Sequence, residues 1–274
     1  MYPRDQHHRL VTEHADRERL RQTFGTVAEQ YDRARPTYPS AVYDDLAALG
    51  GIPPGGRVLE IGPGTGKATV ELARRGYEVV AVELSPDLAA VARRNLEAFP
   101  HAEIATADFE AWESEPESFE AVVAFTAFHW IDPEVRFARA SRLLRERGAL
   151  GVVQTNHVLP EGGDPFWAEI QDVYREVLPA PDNGPPPLPE EIRGPTAEIE
   201  VSPLFDDVVE RRHLWTQTYG AEYVEVLGTY SAHIALPAAQ REELFRRIAE
   251  RIDRQPGGRV TKHYLATLVV GRRV

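Results

Sequence analysis

Short apolar runs and helically spaced apolar positions take turns along the middle of this chain. Val58, Leu59 and Ile61 form a first run and Val79-Val80-Ala81-Val82 a second, and residues 102–107, 119–125 and 149–154 follow the same pattern. Between them apolar residues recur at helical spacing: Ala68, Val70, Leu72 and Ala73; then Leu88, Val91, Ala92 and Leu96; then Val135, Ala138, Leu143 and Leu144. Repeated β–α units of this kind predict a parallel sheet covered by helices, with binding sites at the carboxyl ends of the strands. Ser85-Pro86-Asp87 and Asp132-Pro133-Glu134 mark two helix starts, each with a capping side chain, a proline at the first helical position and an acid in the first turn. Gly148 is expected to end the helix ahead of the strand at 149–154.

The flanks read differently. Residues 1 to about 12 are polar and aperiodic, so a frayed start is expected there. Phe24, Val27, Ala28 and Tyr31 have helical spacing, and Pro36 and Pro39 end that helix. Ser40 is expected to cap a helix over 41–49, closed by Gly50-Gly51. Downstream, 166–178 reads as an amphipathic helix with Trp167, Ile170, Val173, Tyr174 and Val177 on its apolar side. The proline-rich stretch 179–189 is a loop, 208–216 a strand, 221–234 and 238–252 helices, and 259–270 a last strand after Pro256-Gly257-Gly258. No internal repeat is visible.

Composition narrows the possibilities. With 274 residues and 42% hydrophobic positions, the chain can bury one large core or a core with a small cap. Its 43 acids outweigh 31 bases, a formal charge of −12 without a basic block, which argues against a nucleic-acid partner. The absence of cysteine removes disulfides, thiolate catalysis and cysteine-bound zinc. No apolar run approaches the ~20 residues of a membrane span, so no membrane partner is expected and a cytoplasmic location is the default. Glu60, Glu83, Asp108 and His129 do not have metal-ligand spacing, so no metal is expected.

The densest chemistry lies in Arg57-Val-Leu-Glu-Ile-Gly-Pro-Gly-Thr-Gly-Lys67, a buried strand entering a glycine turn that opens a helix. Gly62, Gly64 and Gly66 make positive φ cheap and let a ligand approach bare backbone, and the first N–H groups of the helix suit a polar or anionic group. A phosphate-binding P-loop would need glycine at 61 and a hydroxyl residue at 68; Ile61 and Ala68 stand there. A dinucleotide fingerprint would need glycine at 67, where Lys67 stands. The remaining pattern is Glu-x-Gly-x-Gly-x-Gly from Glu60 to Gly66. Glu83 ends the next strand, where a carboxylate takes the ribose hydroxyls of a nucleoside in such a unit.

This pattern resembles the first motif of class I S-adenosylmethionine-dependent methyltransferases. Tyr31-Asp-Arg-Ala-Arg-Pro-Thr-Tyr-Pro39 and Phe128-His-Trp130 resemble stretches of the small-molecule members related to trans-aconitate methyltransferase. The resemblance covers most of residues 20–156 and weakens beyond. It implies a Rossmann-like, doubly wound α/β fold with a seven-stranded sheet, mostly parallel with the last strand antiparallel. It further implies a helical lid segment at 1–39, a cofactor core at 40–156, and a helical cap at 157–274 interleaved with the last two strands. The implied cofactor is S-adenosyl-L-methionine, leaving as S-adenosyl-L-homocysteine. Glu60, Gly62, Gly64, Gly66, Glu83, Leu84, Asp108, Phe109, Thr126 and Tyr31 would contact it, with Asp108 on the adenine amino group and the Phe109 ring on its face.

The implied reaction is in-line attack of a small-molecule acceptor on the sulfonium methyl, which rests mainly on alignment and desolvation. An acid hydroxyl, amine or carbon acceptor also calls for a base. His129 is the best-placed titratable residue, and it fits equally a histidine that only shapes the pocket. Arg35, Tyr38, Trp130, Asn156, Trp215 and Tyr219 are the acceptor candidates. Two other classes fit less well: a binder of the same cofactor that transfers no methyl, and a nicotinamide oxidoreductase, which Lys67 disfavours. The acceptor and the oligomeric state are not set by the sequence.

Overall fold

The computed structural model describes residues 27–178 and 184–274, so the expected frayed start at 1–12, Phe24 and residues 179–183 of the expected loop lie outside the described residues. The elements in chain order are α1 (Ala28–Ala34), α2 (Ser40–Gly50), β1 (Arg57–Ile61), α3 (Lys67–Arg74), β2 (Glu78–Glu83), α4 (Pro86–Asn95), β3 (Ala102–Thr106) and β4 (Phe119–Phe125). Then come α5 (Arg136–Leu143), β5 (Leu144–Val158), α6 (Phe166–Glu169), α7 (Gln171–Val177), α8 (Thr196–Glu200), β6 (Phe205–Tyr219), α9 (Tyr223–Leu227), α10 (Ser231–Ile234), α11 (Ala238–Asp253) and β7 (Val260–Arg273). All seven strands join one sheet in the order β3-β2-β1-β4-β5-β7-β6, mostly parallel with β7 antiparallel.

Strands β1, β2 and β4 and the middle of β5 are buried on both faces, as a sheet covered by helices requires, while β3 at the sheet edge buries only Ile104. Val58, Leu59, Phe119, Val122 and Leu150 are each fully buried. Each such side chain contributes about 1.5–3 kcal/mol by leaving water. The register sets the site. Ile61 pairs with Val82 and Glu83 with Thr106, so β1, β2 and β3 end level and their following loops gather at one edge.

Two compact units make up the chain. The first takes 37–155, 193–213 and 266–274; the second takes, among the described residues, 27–36, 156–178, 184–192 and 214–265. The first holds β1–β4 and the core built on them. In the second, Phe166, Trp167, Tyr223, Leu244, Ile248 and Tyr264 anchor a separate, aromatic-rich core. Leu244, Ile248 and Ile252 on α11 keep the helical spacing expected for 238–252 and are all buried.

Several local expectations are corrected. Ser40 lies inside α2 rather than capping it: Pro39 holds the cap position with φ −58°, and no side chain caps the helix. Asp132 does not start a helix directly. Its Oδ1 accepts from the Glu134 N–H at 3.0 Å and its carbonyl from Val135 and Arg136, a local turn that competes with helix and delays α5 to Arg136. The inward face therefore moves to Arg136, Ala140, Ser141 and Leu143, and Ala138 is exposed. Leu144 already belongs to β5, whose pairing shifts between Phe119↔Leu144 and Ala121↔Ala149. That bulge places the positive φ on Arg147, at 60°, rather than on Gly148. The helix at 166–178 is split into α6 and α7 around Ile170, and that at 221–234 is split where Tyr230 turns extended. Helix α8, too short to show a period, was not expected.

A core test follows from β4. Phe119→Ala removes a side chain with no exposed surface. It is expected to cost about 3–5 kcal/mol in urea unfolding, and a cost under about 1 kcal/mol would contradict its core position.

Candidate cofactor site

The loop after β1 is built from positive-φ glycines. Gly62, Gly64 and Gly66 have φ of 63°, 60° and 83°, a region that side chains disfavour. At Gly62 there is a second reason: a Cβ would stand 2.8 Å from the Ala127 Cβ. The Gly62 N–H donates to the Val82 carbonyl at 2.9 Å, and Asn95 Nδ2 donates to the Thr65 carbonyl at 2.9 Å, so β2 and α4 both brace the turn.

Glu83 ties the turn down. Its Oε2 accepts from the Gly64 N–H at 2.9 Å and its Oε1 from the Ser85 N–H at 2.8 Å. Ser85 in turn caps α4, its hydroxyl accepting from the Leu88 N–H at 3.4 Å. Leu84, between them, is half-buried. Glu60 on β1 has no exposed surface, and neither of its carboxyl oxygens has a hydrogen-bond partner among the described residues. Burial pushes its carboxyl up to about 8; the nearby Thr69 hydroxyl opposes this, without hydrogen-bond geometry, and the Glu83 charge adds to it.

Asp108 is half-buried after β3; its Oδ1 accepts from the Glu110 N–H at 3.0 Å, while its carbonyl takes the Trp112 N–H at 2.8 Å. Phe109 is 2% exposed inside the core, with the Arg139 guanidinium 5.7 Å from its ring centroid, so the structure uses this ring as packing. After β4, Thr126 takes a φ of 56°, and its hydroxyl meets the Tyr38 hydroxyl at 3.1 Å. Tyr38 also packs edge-on against Phe125. His129 and Trp130 are half-buried on a single 3₁₀ turn with ring centroids 5.0 Å apart.

Tyr31, Arg35, Asn156, Trp215 and Tyr219 belong to the other unit. Arg35 donates from Nε to the Thr229 hydroxyl at 2.7 Å, and its guanidinium lies 4.0 Å from the Tyr230 ring centroid and 5.2 Å from that of Tyr31. Tyr219 is buried and hydrogen-bonded to Tyr264 at 2.9 Å, while half-buried Trp215 stacks on Tyr264 at 5.1 Å. Asn156 is half-buried near the end of β5. At their centre lies Lys262, 1% exposed, donating to the Tyr223 and Tyr230 hydroxyls at 2.7 and 3.1 Å. Burial pulls Lys262 below its usual range, with the Tyr230 pairing opposing. Burial raises the Tyr230 phenol, but the Lys262 and Arg35 charges outweigh it and bring it down to about 8. The sequence marks Trp215, Tyr219, Tyr223, Tyr230 and His233 as an aromatic-rich cap and Lys262 as a candidate cation, but spacing does not reveal that Lys262 meets Tyr223 and Tyr230.

Among the described residues no group of three or more His, Cys, Asp or Glu is placed to hold a metal ion, and no helix is long and apolar enough to cross a membrane.

A mostly parallel sheet of this strand order, with a glycine turn after β1 and an acid closing β2, is a Rossmann-like fold. Residues 58–148 match the family described as "Methyltransferase domain". An uncharacterized methyltransferase of Mycobacterium tuberculosis is 32% identical over 171 residues, covering 58% of this chain and 65% of that protein. This chain thus spans a little under two thirds of the length of that curated relative. The magnesium-protoporphyrin O-methyltransferase of Rhodobacter capsulatus is 43% identical over 88 residues, 32% of this chain and 35% of its own. Among solved structures, a candidate type II methyltransferase from Anaeromyxobacter dehalogenans shares the fold, with a TM-score of 0.61, 23% identity and coverage of 87% and 97%.

The similarity of residues 58–148 to methyltransferase domains supports S-adenosyl-L-methionine as the cofactor. The residues present fit it: a bare cradle at Gly62 that a Cβ would fill, and, two residues before it, a buried carboxyl at Glu60 without a hydrogen-bond partner among the described residues, which suits a ligand that carries positive charge.

Two outcomes test the two clusters. Gly62→Ala is expected to abolish cofactor binding in calorimetry. Gly76→Ala, at φ 86° with nothing within 4 Å of its Cβ, is expected to cost about 1 kcal/mol of stability and leave binding intact. In the second unit, an ultraviolet titration is expected to show one phenol ionising near 8 that Lys262→Met moves upward; no change in the titration would remove Lys262 as its cause.

Proposed function

We propose that this protein transfers the methyl group of S-adenosyl-L-methionine to a small-molecule acceptor. The observation that carries the reading is the glycine turn clamped by Glu83, backed by the buried Glu60 and lying within the residues that match a methyltransferase domain. When bound, the cofactor supplies a methyl group already activated on a sulfonium. The chain's part is to bind, align and exclude water. Gly62, Gly64 and Gly66 leave the backbone open for the methionine end, with Thr126 beside them. Glu83 is assigned to the ribose and Asp108 to the adenine, both at the sheet edge where the register collects the loops.

His129 is assigned the proton of the acceptor atom, taken on a ring nitrogen as that atom attacks in line. Tyr38 and Trp130, which share a unit with the glycine turn, are the first acceptor contacts to test, ahead of Arg35, Asn156, Trp215 and Tyr219. The small-molecule class is supported by the charge of −12, which repels nucleic acid, and by the named activity of the Rhodobacter relative.

Release of S-adenosyl-L-homocysteine over a panel of small metabolites, with ribosomal RNA as a separate arm, tests the reading. Activity confined to the RNA arm would overturn the acceptor class, and absence of cofactor binding would overturn the whole reading. Glu83→Ala is expected to weaken cofactor binding by about 1–2 kcal/mol through loss of charge-assisted hydrogen bonds. His129→Ala is expected to lower turnover by about 10²–10⁴ with cofactor affinity kept. A collapse of affinity with turnover at saturation preserved would make His129 a pocket residue instead.

A further inference from the structure

Glu60 presents an unresolved charge problem. It is a full carboxyl group with no exposed surface and no hydrogen-bond partner on either oxygen among the described residues. A buried carboxylate in that state would forfeit its hydration and receive nothing in return. Its surroundings make ionisation harder still. Glu83 acts on it from β2 as a like charge, Tyr43 on α2 offers an un-ionised phenol raised by its own burial, and α3 contributes only the Thr69 hydroxyl. Among the described residues no Lys, Arg or His charge stands among the main influences on Glu60. The neighbouring Glu83 differs in one respect: backbone N–H groups of Gly64 and Ser85 serve both of its oxygens.

We propose that Glu60 carries its proton in the cofactor-free protein and surrenders it when the methyl donor binds, so that cofactor binding releases one proton. The inference rests on the methyl-donor reading above. The donor brings a sulfonium and an ammonium cation to the turn that begins two residues after Glu60. That positive charge supplies what the protein withholds, a counter-ion for a second carboxylate beside Glu83. The O–H bond of Glu60 breaks, its electron pair stays on the carboxylate, and the proton leaves to water. Glu60 is thereby a positioning residue whose charge appears only with its ligand.

Linkage sets the signs. The Glu60 carboxyl is raised from 4.5 to about 8, so in the absence of ligand it adds stability that is full below 4.5 and is lost as pH rises to about 8. Cofactor affinity moves the other way, rising about tenfold per pH unit below 8 and levelling above it.

The test is titration calorimetry of the full-length protein with S-adenosyl-L-methionine near neutral pH, in buffers of different ionisation enthalpy. Infrared difference spectra are recorded alongside. The expected result is close to one proton released per cofactor, with loss of a protonated-carboxyl band on binding. Glu60→Gln, a neutral isostere, is expected to abolish the release, the band and the pH slope of affinity. Buffer-independent binding heat in the wild-type protein would overturn the proposal while leaving the methyl-donor reading standing. Absence of any cofactor binding would overturn both. Should Glu60→Gln fail to fold, the carboxyl band of the free wild-type protein decides alone: its absence means Glu60 is already ionised, and the proposal fails.

Discussion

Glu60 and Glu83 sit near the carboxyl ends of adjacent parallel strands, both buried, and among the described residues only Glu83 is given hydrogen-bond donors. Glu83 draws in the N–H groups of Gly64 and Ser85, fixing the glycine turn on one side and the start of the next helix on the other. That single side chain joins the β1 loop to the β2 loop, and the register that brings the two strands level makes this possible. The glycines belong to the same constraint. Three positive φ values let the backbone fold over the strand ends closely enough for its N–H groups to reach an acid on the neighbouring strand.

The second unit meets its own polar burial with different means. Lys262 is surrounded by aromatic rings, with Tyr223 and Tyr264 centroids 4.9 and 4.8 Å away, and tyrosine hydroxyls rather than carboxylates take its protons. Ring faces and phenol oxygens compensate a buried cation only in part, which is why both Lys262 and Tyr230 depart from their ordinary ionisation. One unit thus holds a buried acid raised by its burial and the other a buried base lowered by its own.

Strands β1, β2 and β4 were legible because burial on both faces leaves an apolar run that nothing else of that length resembles. The glycine turn was legible because its residue types are dictated by φ, a local property, and Glu83 because its distance from the turn is fixed by one helix and one strand. Asp108 was placed by the same spacing, whereas Phe109 lies in the core, since an aromatic residue after a strand serves packing as readily as a ligand. The Asp132 turn shows the limit of local signals: the same side chain that caps a helix also closes a turn, and the two uses share one residue pattern.

By itself the sequence determined the strands, the glycine turn and the acids in β1, at the end of β2 and after β3, because each depends on neighbours along the chain. Only the tertiary structure decided which of two similar carboxyl groups is satisfied, that Tyr219 is a core residue, and that Lys262 lies among tyrosines. Those outcomes turn on contacts between segments as distant as Lys262 and Tyr223, whose packing no periodicity records. Glu60 combines the two: its place in the motif is local, while its proton is set by the absence of partners in three dimensions.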